Sequence, residues 1–413
     1  MAADEEETMK KTAVNATEGS HKCTKVMHVV SRKKKKIVPG KRRRSRRGMS
    51  SMEELAKLIC RSGGEVERPV VFITGAGLSS SCGIRTFRGS TAVKAKNNGK
   101  RHSKRKYNDE DSEKTKGSAA LWEEVVWSNS TRDRFRRDPL KWYNDFWLKY
   151  FPKDYNAYTP SKGHEAIAFI SSLSENIDVR VITQNVDGLH SRTVCQWDYK
   201  SKLIEAHGLV GLYKCIPEED SDTDSDSDID EDRPVKLGSR RKAYAQVEDL
   251  AKVDESRRPC VYEFSKSMKS SDLFPLSVRE ILTNEQSSKG IKLQQPPQCH
   301  GCKRVNSVMP QALLFDEGYH SHSHYNFEKA ENWISKASAI VFVGTSFAVG
   351  ITNVALDFAR SKQLPVFNFN LNDRLEPTQL LQAENIMGVS DETLPALAKL
   401  CSSFVKEDKD YIL

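Results

Sequence analysis

The chain has no apolar run of the ~18–20 residues that a membrane-spanning helix needs, and its first residues lack the apolar core of a signal peptide. Cysteine is sparse, with nine in 413 residues, which is too few for a disulfide framework. The usual G-x-G-x-x-G dinucleotide fingerprint is also missing. We therefore expect a soluble, intracellular protein without membrane contacts, whose one Cys-x-x-Cys pair binds a metal.

The body of the chain lacks an excess of basic charge, although the net charge is +9. Residues 1–50 hold 15 Lys/Arg and 5 Asp/Glu, a net of +10, so the remaining residues sum to −1. With few apolar residues, this segment is predicted to be a disordered basic tail. Its clusters, Arg32–Lys36 and Lys41–Arg47, predict a bipartite nuclear-import signal, nuclear localisation and non-specific contact with nucleic acid.

The stretch from Arg68 to Gly89 predicts a ligand site. Its apolar run, Val70–Ile73, has no polar alternation and is typical of a fully buried strand. The small residues Gly75-Ala76-Gly77 follow, and then serines that favour a helix start. A strand, a small-residue turn and a helix N-terminus together form a cradle for an anion, because unpaired N–H groups point at the ligand.

Other predicted strands also end in small, hydroxyl or amide residues. The runs are Val179–Thr183, Ala339–Val343 and Val366–Phe369, and a shorter run, Leu203–Ala206, leads to His207. Polar groups at the carboxyl ends of parallel strands are where α/β proteins bind nucleotides. The pattern predicts an α/β fold with a Rossmann-like, doubly wound parallel sheet that binds a nucleotide along one edge.

Two charged segments interrupt this pattern, at residues 91–117 and 218–258. The second carries ten carboxylates between Glu218 and Asp232. It lies within residues 209–308, which we predict to form a small metal-binding module, since Cys299-x-x-Cys302 has the spacing of a zinc knuckle.

Taken together and in this order, the motifs resemble those of the sirtuins, the NAD-dependent protein lysine deacylases. The resemblance covers roughly residues 53–400 and implies a catalytic domain over residues 51–413 with a smaller zinc-binding module. It implies NAD as cofactor, structural Zn²⁺, and an acetyl-lysine peptide or protein, such as a histone, as substrate. The matching segments are GAGLSSSCGIRTFRG, TQNVDGLH, the pair His207-Gly208, MPQALLFDE and VFVGTSFAVG.

The same resemblance implies roles for individual residues. His207 matches the general base, and a histidine pKa of ~6.5 suits removal of a ribose proton at neutral pH. Asn185 is the second implied catalytic residue, and Leu313–Glu317 resembles the strand that pairs with an acyl-lysine peptide. The implied NAD contacts are Gly75, Ala76, Gly77, Ser79, Ile84, Phe87, Arg88, Gln184, Asn185, Asp187, Gly344, Thr345, Ser346, Asn370 and Ser390.

Three positions depart from the family pattern. Arg85-Thr86 replaces the usual Pro-Asp in the cofactor loop, and Asp316 stands where a glycine is usual. Cys215 lacks the second cysteine of its pair, yet a structural zinc needs four ligands. The implied ligands are Cys215, Cys260, Cys299 and Cys302, with Glu218 or His300 as alternatives to Cys260.

Other functions remain open at this point. Protein mono-ADP-ribosyl transfer belongs to the same family, and Arg85-Thr86 favours a catalytically weakened NAD- or chromatin-binding module. A hydride-transferring dehydrogenase would share the sheet, but no Tyr-x-x-x-Lys dyad lies near the expected strand. The acidic run is interpreted either as an attractor of basic histone tails or as a partner that masks the basic tail.

Overall fold

The computed structural model describes residues 47–63, 68–84, 125–151, 158–217, 260–273, 292–371 and 383–410. Outside these ranges lie both predicted inserts, residues 1–46 of the tail, and the predicted site residues Phe87 and Arg88. Arg85, Thr86 and Glu218 also lie outside them. Among the described residues, no helix combines the length and apolar character needed to cross a membrane.

The predicted parallel sheet is confirmed. It has six strands in the order β3-β2-β1-β7-β8-β9, every adjacent pair of which is parallel, and a second sheet has the order β5-β4-β6. In chain order the strands are β1 (Val70–Thr74), β2 (Val179–Thr183), β3 (Leu203–Glu205), β4 (Gly208–Cys215), β5 (Met268–Lys269), β6 (Val308–Ala312), β7 (Ala339–Val343), β8 (Val366–Asn370) and β9 (Ala383–Met387).

Helices cover both faces of the six-stranded sheet, which explains why β1 and β7 are buried at every residue. The longer helices are α1 (Arg47–Cys60), α2 (Arg132–Arg137), α3 (Lys162–Ser172), α4 (Phe327–Lys336), α5 (Gly350–Lys362) and α6 (Ser390–Asp410). Short helical turns are Ala76–Ser79, Pro139–Lys141, Leu148–Tyr150, Tyr199–Lys202, Val261–Phe264 and Ser270–Leu273.

The predicted tail, residues 1–50, overlaps the first four residues of α1. Helix α1 begins at Arg47, inside the second basic cluster. Its apolar residues pack into the core, and the Ser51 hydroxyl donates to Glu384 Oε2 at 2.9 Å. A helix anchored in this way extends by one more turn at little cost, because each added residue gains a backbone hydrogen bond.

Successive strands are added on opposite sides of the sheet, and the change of side falls between β1 and β7. From β1 the chain adds β2 and then β3 on one side, and β7, β8 and β9 later extend the other side. The loops that leave β1 and β7 therefore begin side by side where this change occurs, and this is the point at which open α/β sheets bind ligands. The edge that carries the predicted polar groups is this carboxyl edge.

A second core lies under the three-stranded sheet. It is rich in aromatic residues from a helical segment whose middle, Trp142–Trp147, is a π-helical turn, and it includes Tyr213 of β4. The hydroxyl of Tyr143 donates to the backbone oxygen of Val308 at 2.9 Å, which ties this segment to β6. The zinc-binding module thus has its own apolar core.

The structure has no strand at Leu313–Glu317, because β6 ends at Ala312. The backbone N–H of Leu313 donates to the His207 carbonyl at 2.9 Å, and that of Phe315 donates to the Ser130 carbonyl at 3.0 Å. Both donors have partners within the chain, and pairing of this segment with an acyl-lysine peptide stays a prediction.

Asp316 has a structural role that explains its departure from the usual glycine. Its carboxylate accepts from the backbone N–H groups of Arg132 at 2.9 Å and Asp133 at 3.1 Å. These are the first residues of α2, whose N–H groups have no partner inside the helix. Asp316 therefore acts as a cap supplied from elsewhere in the chain.

A buried ion cluster lies directly behind this cap. Glu317 accepts from Lys214 Nζ at 2.6 Å and from Arg132 at 2.5 Å, and its own side chain and that of Lys214 are fully buried. Burial alone would raise the pKa of Glu317, but the charges of Lys214 and Arg132 outweigh it and lower the pKa. Burial lowers the pKa of Lys214 to about 8, although Glu317 opposes the shift.

We expect Glu317→Gln to destabilise the protein by about 3–5 kcal/mol, because it leaves the Lys214 charge buried without its partner. Urea unfolding at pH 7 measures the change. The matched control is Asp357→Asn, which breaks the exposed pair of Asp357 with Arg360 and should cost about 1 kcal/mol or less. A cost below about 1 kcal/mol for Glu317→Gln would contradict the prediction.

His164 has a structural role at the start of α3. The Ser161 hydroxyl accepts from the N–H of His164, and His164 Nδ1 accepts from the N–H of Ser161 at 3.2 Å, which makes a capping box. The ring centroid of His164 lies 4.7 Å from that of His190. Burial lowers the pKa of His190 to about 3 and holds the pKa of His164 well below its usual value.

These two histidines predict acid sensitivity. Their folded-state pKa values lie below the unfolded value of ~6.5, so the unfolded chain binds more protons below that pH and stability falls as the pH falls. Each should contribute up to about 1.4 kcal/mol per pH unit between pH 6 and 5. His190→Gln should reduce the slope of unfolding free energy against pH, and an unchanged slope would contradict this assignment.

Candidate functional site

The loops that follow β1 and β7 contact each other through their backbones. Gly75 N donates to Val343 O and Gly77 N donates to Gly344 O, both at 2.9 Å. A Cβ atom added to Gly77 would lie 2.7 Å from Gly344 Cα, and Gly344 itself has a positive φ of 58°. Glycine is required at these positions because two backbones meet there, and this contact shapes the switch point.

The predicted residues Ser79, Asn185 and Asp187 come together beside this contact. Ser79 Oγ donates to Asp187 Oδ2 at 2.7 Å, and Asn185 Nδ2 donates to Ser79 Oγ and to Gly75 O, both at 3.1 Å. All three polar side chains are buried. Burial raises the pKa of Asp187, and hydrogen bonds from Leu189 and Ser79 oppose this shift.

A second group of predicted residues lies on the β7 side. The Gln184 side-chain amide lies 3.4 Å from Thr345 Oγ1, and Asn370 Nδ2 donates to Thr345 O at 2.9 Å. Thr345 thus links polar side chains from the ends of β2 and β8. The carboxyl edge from β2 to β8 carries neutral hydroxyl and amide groups, which suit ribose hydroxyls and a carboxamide.

Some predicted site residues take no part in these contacts within the described ranges. Ala76 is half-buried in the helical turn after β1, Ile84 is half-buried just beyond it, and Ser346 is exposed. Ser390 is half-buried at the first residue of α6. The roles of these four residues as cofactor contacts stay predictions.

His207 lies at the same edge, two residues after the end of β3, and is half-buried. Burial lowers its pKa to about 4, with a hydrogen bond to the Gln184 backbone opposing the shift. Its neighbour Gly208 has φ 95°, and a Cβ there would meet Gln311 O at 1.7 Å. Only glycine fits after His207, which explains the His-Gly pair.

One residue that the sequence did not point to also contacts His207. The Tyr319 hydroxyl lies 3.0 Å from His207 Nε2, although the two residues are 112 positions apart. Tyr319 follows an acidic turn and precedes a histidine-rich segment, so no local pattern distinguishes it from an ordinary loop tyrosine. Only the tertiary structure brings the two rings together.

The four candidate zinc ligands form one cluster. The sulfur atoms of Cys215, Cys260, Cys299 and Cys302 all lie within 4.8 Å of one another, and the measured pairs are 3.7 Å (Cys215 to Cys302) and 3.5 Å (Cys260 to Cys299). A tetrahedron with Zn–S bonds of ~2.3 Å places its sulfurs about 3.8 Å apart. The cluster therefore fits structural zinc, with Cys260 as the ligand separated from Cys215 by the acidic segment.

The groups around the four cysteines also favour the ionised form of sulfur. Arg304 donates from Nε to Cys302 Sγ at 3.2 Å and from Nη2 to Cys215 Sγ at 3.3 Å. Its guanidinium is held in turn by the buried carboxylate of Glu263. A fixed positive charge beside two sulfurs stabilises thiolates, the form that binds zinc.

Comparison with known proteins identifies the family. The Sir2 family model matches residues 118–238. NAD-dependent deacetylase sir2E of Dictyostelium discoideum is 30% identical over 334 residues, which cover 80% of this chain and 73% of that protein. The chain belongs to the Sir2 family. Another relative, the NAD-dependent protein deacylase of Candida albicans, is 24% identical over 345 residues, which cover 80% of this chain and 93% of that protein.

Solved Sir2 structures share the fold. One such structure, from work on the mechanism and regulation of Sir2 enzymes, is 19% identical in sequence and has a TM-score of 0.51. The match covers 86% of this chain and 99% of the chain in that structure. A Sir2 homologue in complex with ADP-ribose also has a TM-score of 0.51, at 18% identity. At this identity the likeness establishes the Sir2 fold.

Proposed function

We propose that this protein is an NAD-dependent lysine deacetylase that acts on histones or other nuclear proteins and releases nicotinamide and O-acetyl-ADP-ribose. The supporting observation is the position of His207, which lies on the carboxyl edge of the sheet with the Ser79–Asn185–Asp187 contacts. Two relatives bear the names NAD-dependent deacetylase and NAD-dependent protein deacylase.

The cofactor would lie at the switch point, where Gly75, Gly77 and Gly344 shape the backbone and Gln184 and Thr345 offer neutral hydrogen-bonding groups. When bound, NAD supplies nicotinamide as the leaving group and an electrophilic ribose carbon. His207 would be the base that takes a proton from a ribose hydroxyl, and burial keeps its ring neutral, and so able to accept a proton, throughout the neutral range.

The test is incubation of the full chain with NAD and an acetyl-lysine histone H3 peptide, followed by mass spectrometry of peptide, protein and small molecules. Deacetylated peptide, nicotinamide and O-acetyl-ADP-ribose in equal amounts are expected. Release of nicotinamide with ADP-ribose attached to protein would instead establish mono-ADP-ribosyl transfer. Binding of NAD without nicotinamide release would establish the weakened binding module.

The basic tail is proposed to direct this activity to the nucleus and to hold the enzyme near nucleic acid. The structure suggests the deletion to use: removing residues 1–46 keeps α1, which packs into the core. Turnover of a short acetyl peptide should not change, whereas nuclear accumulation should be lost and nucleosome binding should weaken, most at low salt.

The matched control is deletion of residues 1–31, which removes four lysines and five acidic residues but keeps both basic clusters. This variant should still accumulate in the nucleus. If the 1–46 deletion also accumulates there, the targeting proposal is wrong. Faster turnover of free peptide by that deletion would favour masking of the tail by the acidic segment, which is the competing interpretation.

A further inference from the structure

We infer that His190 is a positioning residue of the NAD site, which holds Asn185 in place through the hydroxyls of Thr74 and Thr183. The inference rests on the proposed function in one respect, namely that Asn185 contacts NAD. It extends that function to a buried side chain at which no cofactor contact is predicted.

Three consecutive hydrogen bonds connect His190 to Asn185. His190 Nε2 lies 3.0 Å from Thr74 Oγ1, and Thr74 Oγ1 lies 2.9 Å from Thr183 Oγ1. Thr74 and Thr183 are the last residues of β1 and β2, where they are paired in register, and both are buried. Thr183 Oγ1 accepts from the backbone N–H of Asn185 at 3.1 Å. The chain of bonds therefore ends at the first turn of the loop that carries the predicted NAD contacts.

The protons and lone pairs are sufficient for these bonds in either direction. Burial keeps the His190 ring neutral, so Nε2 is either a donor or an acceptor. A protonated Nε2 donates to Thr74, and Thr74 then donates to Thr183; otherwise Thr183 donates to Thr74, and Thr74 donates to Nε2. In both cases Thr183 Oγ1 keeps a lone pair for the N–H of Asn185. The orientation of the Thr183 hydroxyl therefore depends on Thr74, and that of Thr74 depends on His190.

The bond to Thr74 explains why a histidine is buried at this position. The side chain of His190 is 2% exposed, and its Nδ1 has no hydrogen-bond partner in the part of the chain that the structure describes. Burial of an imidazole with one nitrogen unpaired costs free energy that an apolar residue would not cost. The hydrogen bond to Thr74 is the one contact of this ring that an apolar residue could not supply.

The same set of contacts returns to Asn185 from its side chain. The backbone N–H of Leu189, the residue before His190, donates to Asp187 Oδ1 at 3.0 Å. Asp187 Oδ2 accepts from Ser79 Oγ, which accepts from Asn185 Nδ2. Asn185 is thus held at its backbone through His190 and at its side chain through Asp187. Loss of either support should loosen a proposed NAD contact.

The test compares two variants with unbranched side chains of similar length, His190→Gln and His190→Met. Glutamine can still bond to Thr74, whereas methionine cannot. In calorimetric titration of the full chain with NAD, Kd should rise about tenfold in His190→Met, the loss expected for one hydrogen bond. In His190→Gln it should stay within about threefold of wild type. Thr74→Val, which removes the hydroxyl, should match His190→Met and carries the test if that variant does not fold.

The matched control is Thr352→Val, which removes a buried hydroxyl that donates to Val349 O in α5. This change should lower the free energy of unfolding while Kd for NAD stays within about twofold of wild type. The double variant His190→Met/Thr74→Val should bind NAD about as weakly as either single variant, because both substitutions break one chain of bonds.

Wild-type affinity for NAD in His190→Met and in Thr74→Val would overturn the inference. An equal loss in His190→Gln would also overturn it, because the effect would then come from packing of the ring. So would a loss of about a hundredfold in the double variant, since the two residues would then act independently. A protein that shows the expected changes in NAD affinity but does not deacetylate a peptide would overturn only the proposed function.

Discussion

Replacing His207 with alanine should reduce NAD-dependent deacetylation by about 10²–10⁴-fold, the contribution of a positioned general base. The ring is half-buried at the carboxyl edge, and burial lowers its pKa to about 4, so in the wild type it is ready to accept a proton from pH 5 upward. The proposed NAD contacts include Ser79, Asn185 and Thr345, which the substitution does not change. Initial rates on an acetyl-lysine peptide, with calorimetry of NAD binding, measure both effects.

The control is His320→Ala, which removes an exposed histidine from a neighbouring segment. It should change the rate by less than about twofold, as surface substitutions usually do. Near-normal turnover by His207→Ala, on a peptide that the wild type deacetylates, would show that the proton is taken by another group. Loss of NAD affinity in parallel with the rate would indicate a structural role for His207 instead.

Replacing Cys260 with serine should remove zinc and unfold the module that carries it. Structural zinc sites contribute on the order of 10 kcal/mol or more to the folding of small modules. In this cluster Arg304 and Glu263 contact Cys215, and the sulfurs of Cys260 and Cys299 lie 3.5 Å apart, so four thiolates without a metal would repel one another at close range. Zinc content by mass spectrometry should fall from one per chain to near zero, with loss of solubility.

Cys299→Ser and Cys302→Ser should behave in the same way, because each removes one of four sulfurs. Matched controls are Cys82→Ser, a half-buried cysteine outside the cluster, and His300→Ala, next to Cys299 but exposed. Glu218→Ala should also keep its zinc, since four sulfurs already complete the tetrahedron. Full zinc content in Cys260→Ser would assign the fourth position to another residue.

Much of the fold could be predicted because the relevant signals are local. Val70–Ile73 and Ala339–Val343 are uninterrupted apolar runs, and such runs can be satisfied only by strands buried on both faces. The small and amide residues that follow them mark the carboxyl edge. The structure confirms that Gln184, Asn185, Thr345 and Asn370 meet at this edge.

Contacts between distant parts of the chain add what the local pattern does not show. Leu313–Glu317 has the composition of a strand, but Phe315 N–H bonds to the carbonyl of Ser130, a residue distant in sequence. The glycines after β1, which the sequence assigns to a ligand site, are also required within the chain, because a Cβ atom on Gly77 would meet the backbone of Gly344.

The sequence by itself determined the parallel sheet, its polar edge, His207 and the Cys299–Cys302 pair, because periodicity and short spacing act through neighbouring backbone atoms. The tertiary structure alone decided that Cys260 completes the cluster with Cys215, that Glu317 neutralises Lys214, and that Tyr319 contacts His207. These pairs are separated by 45, 103 and 112 positions. At such separations a contact depends on how the whole chain packs, and no pattern of neighbouring residues specifies it.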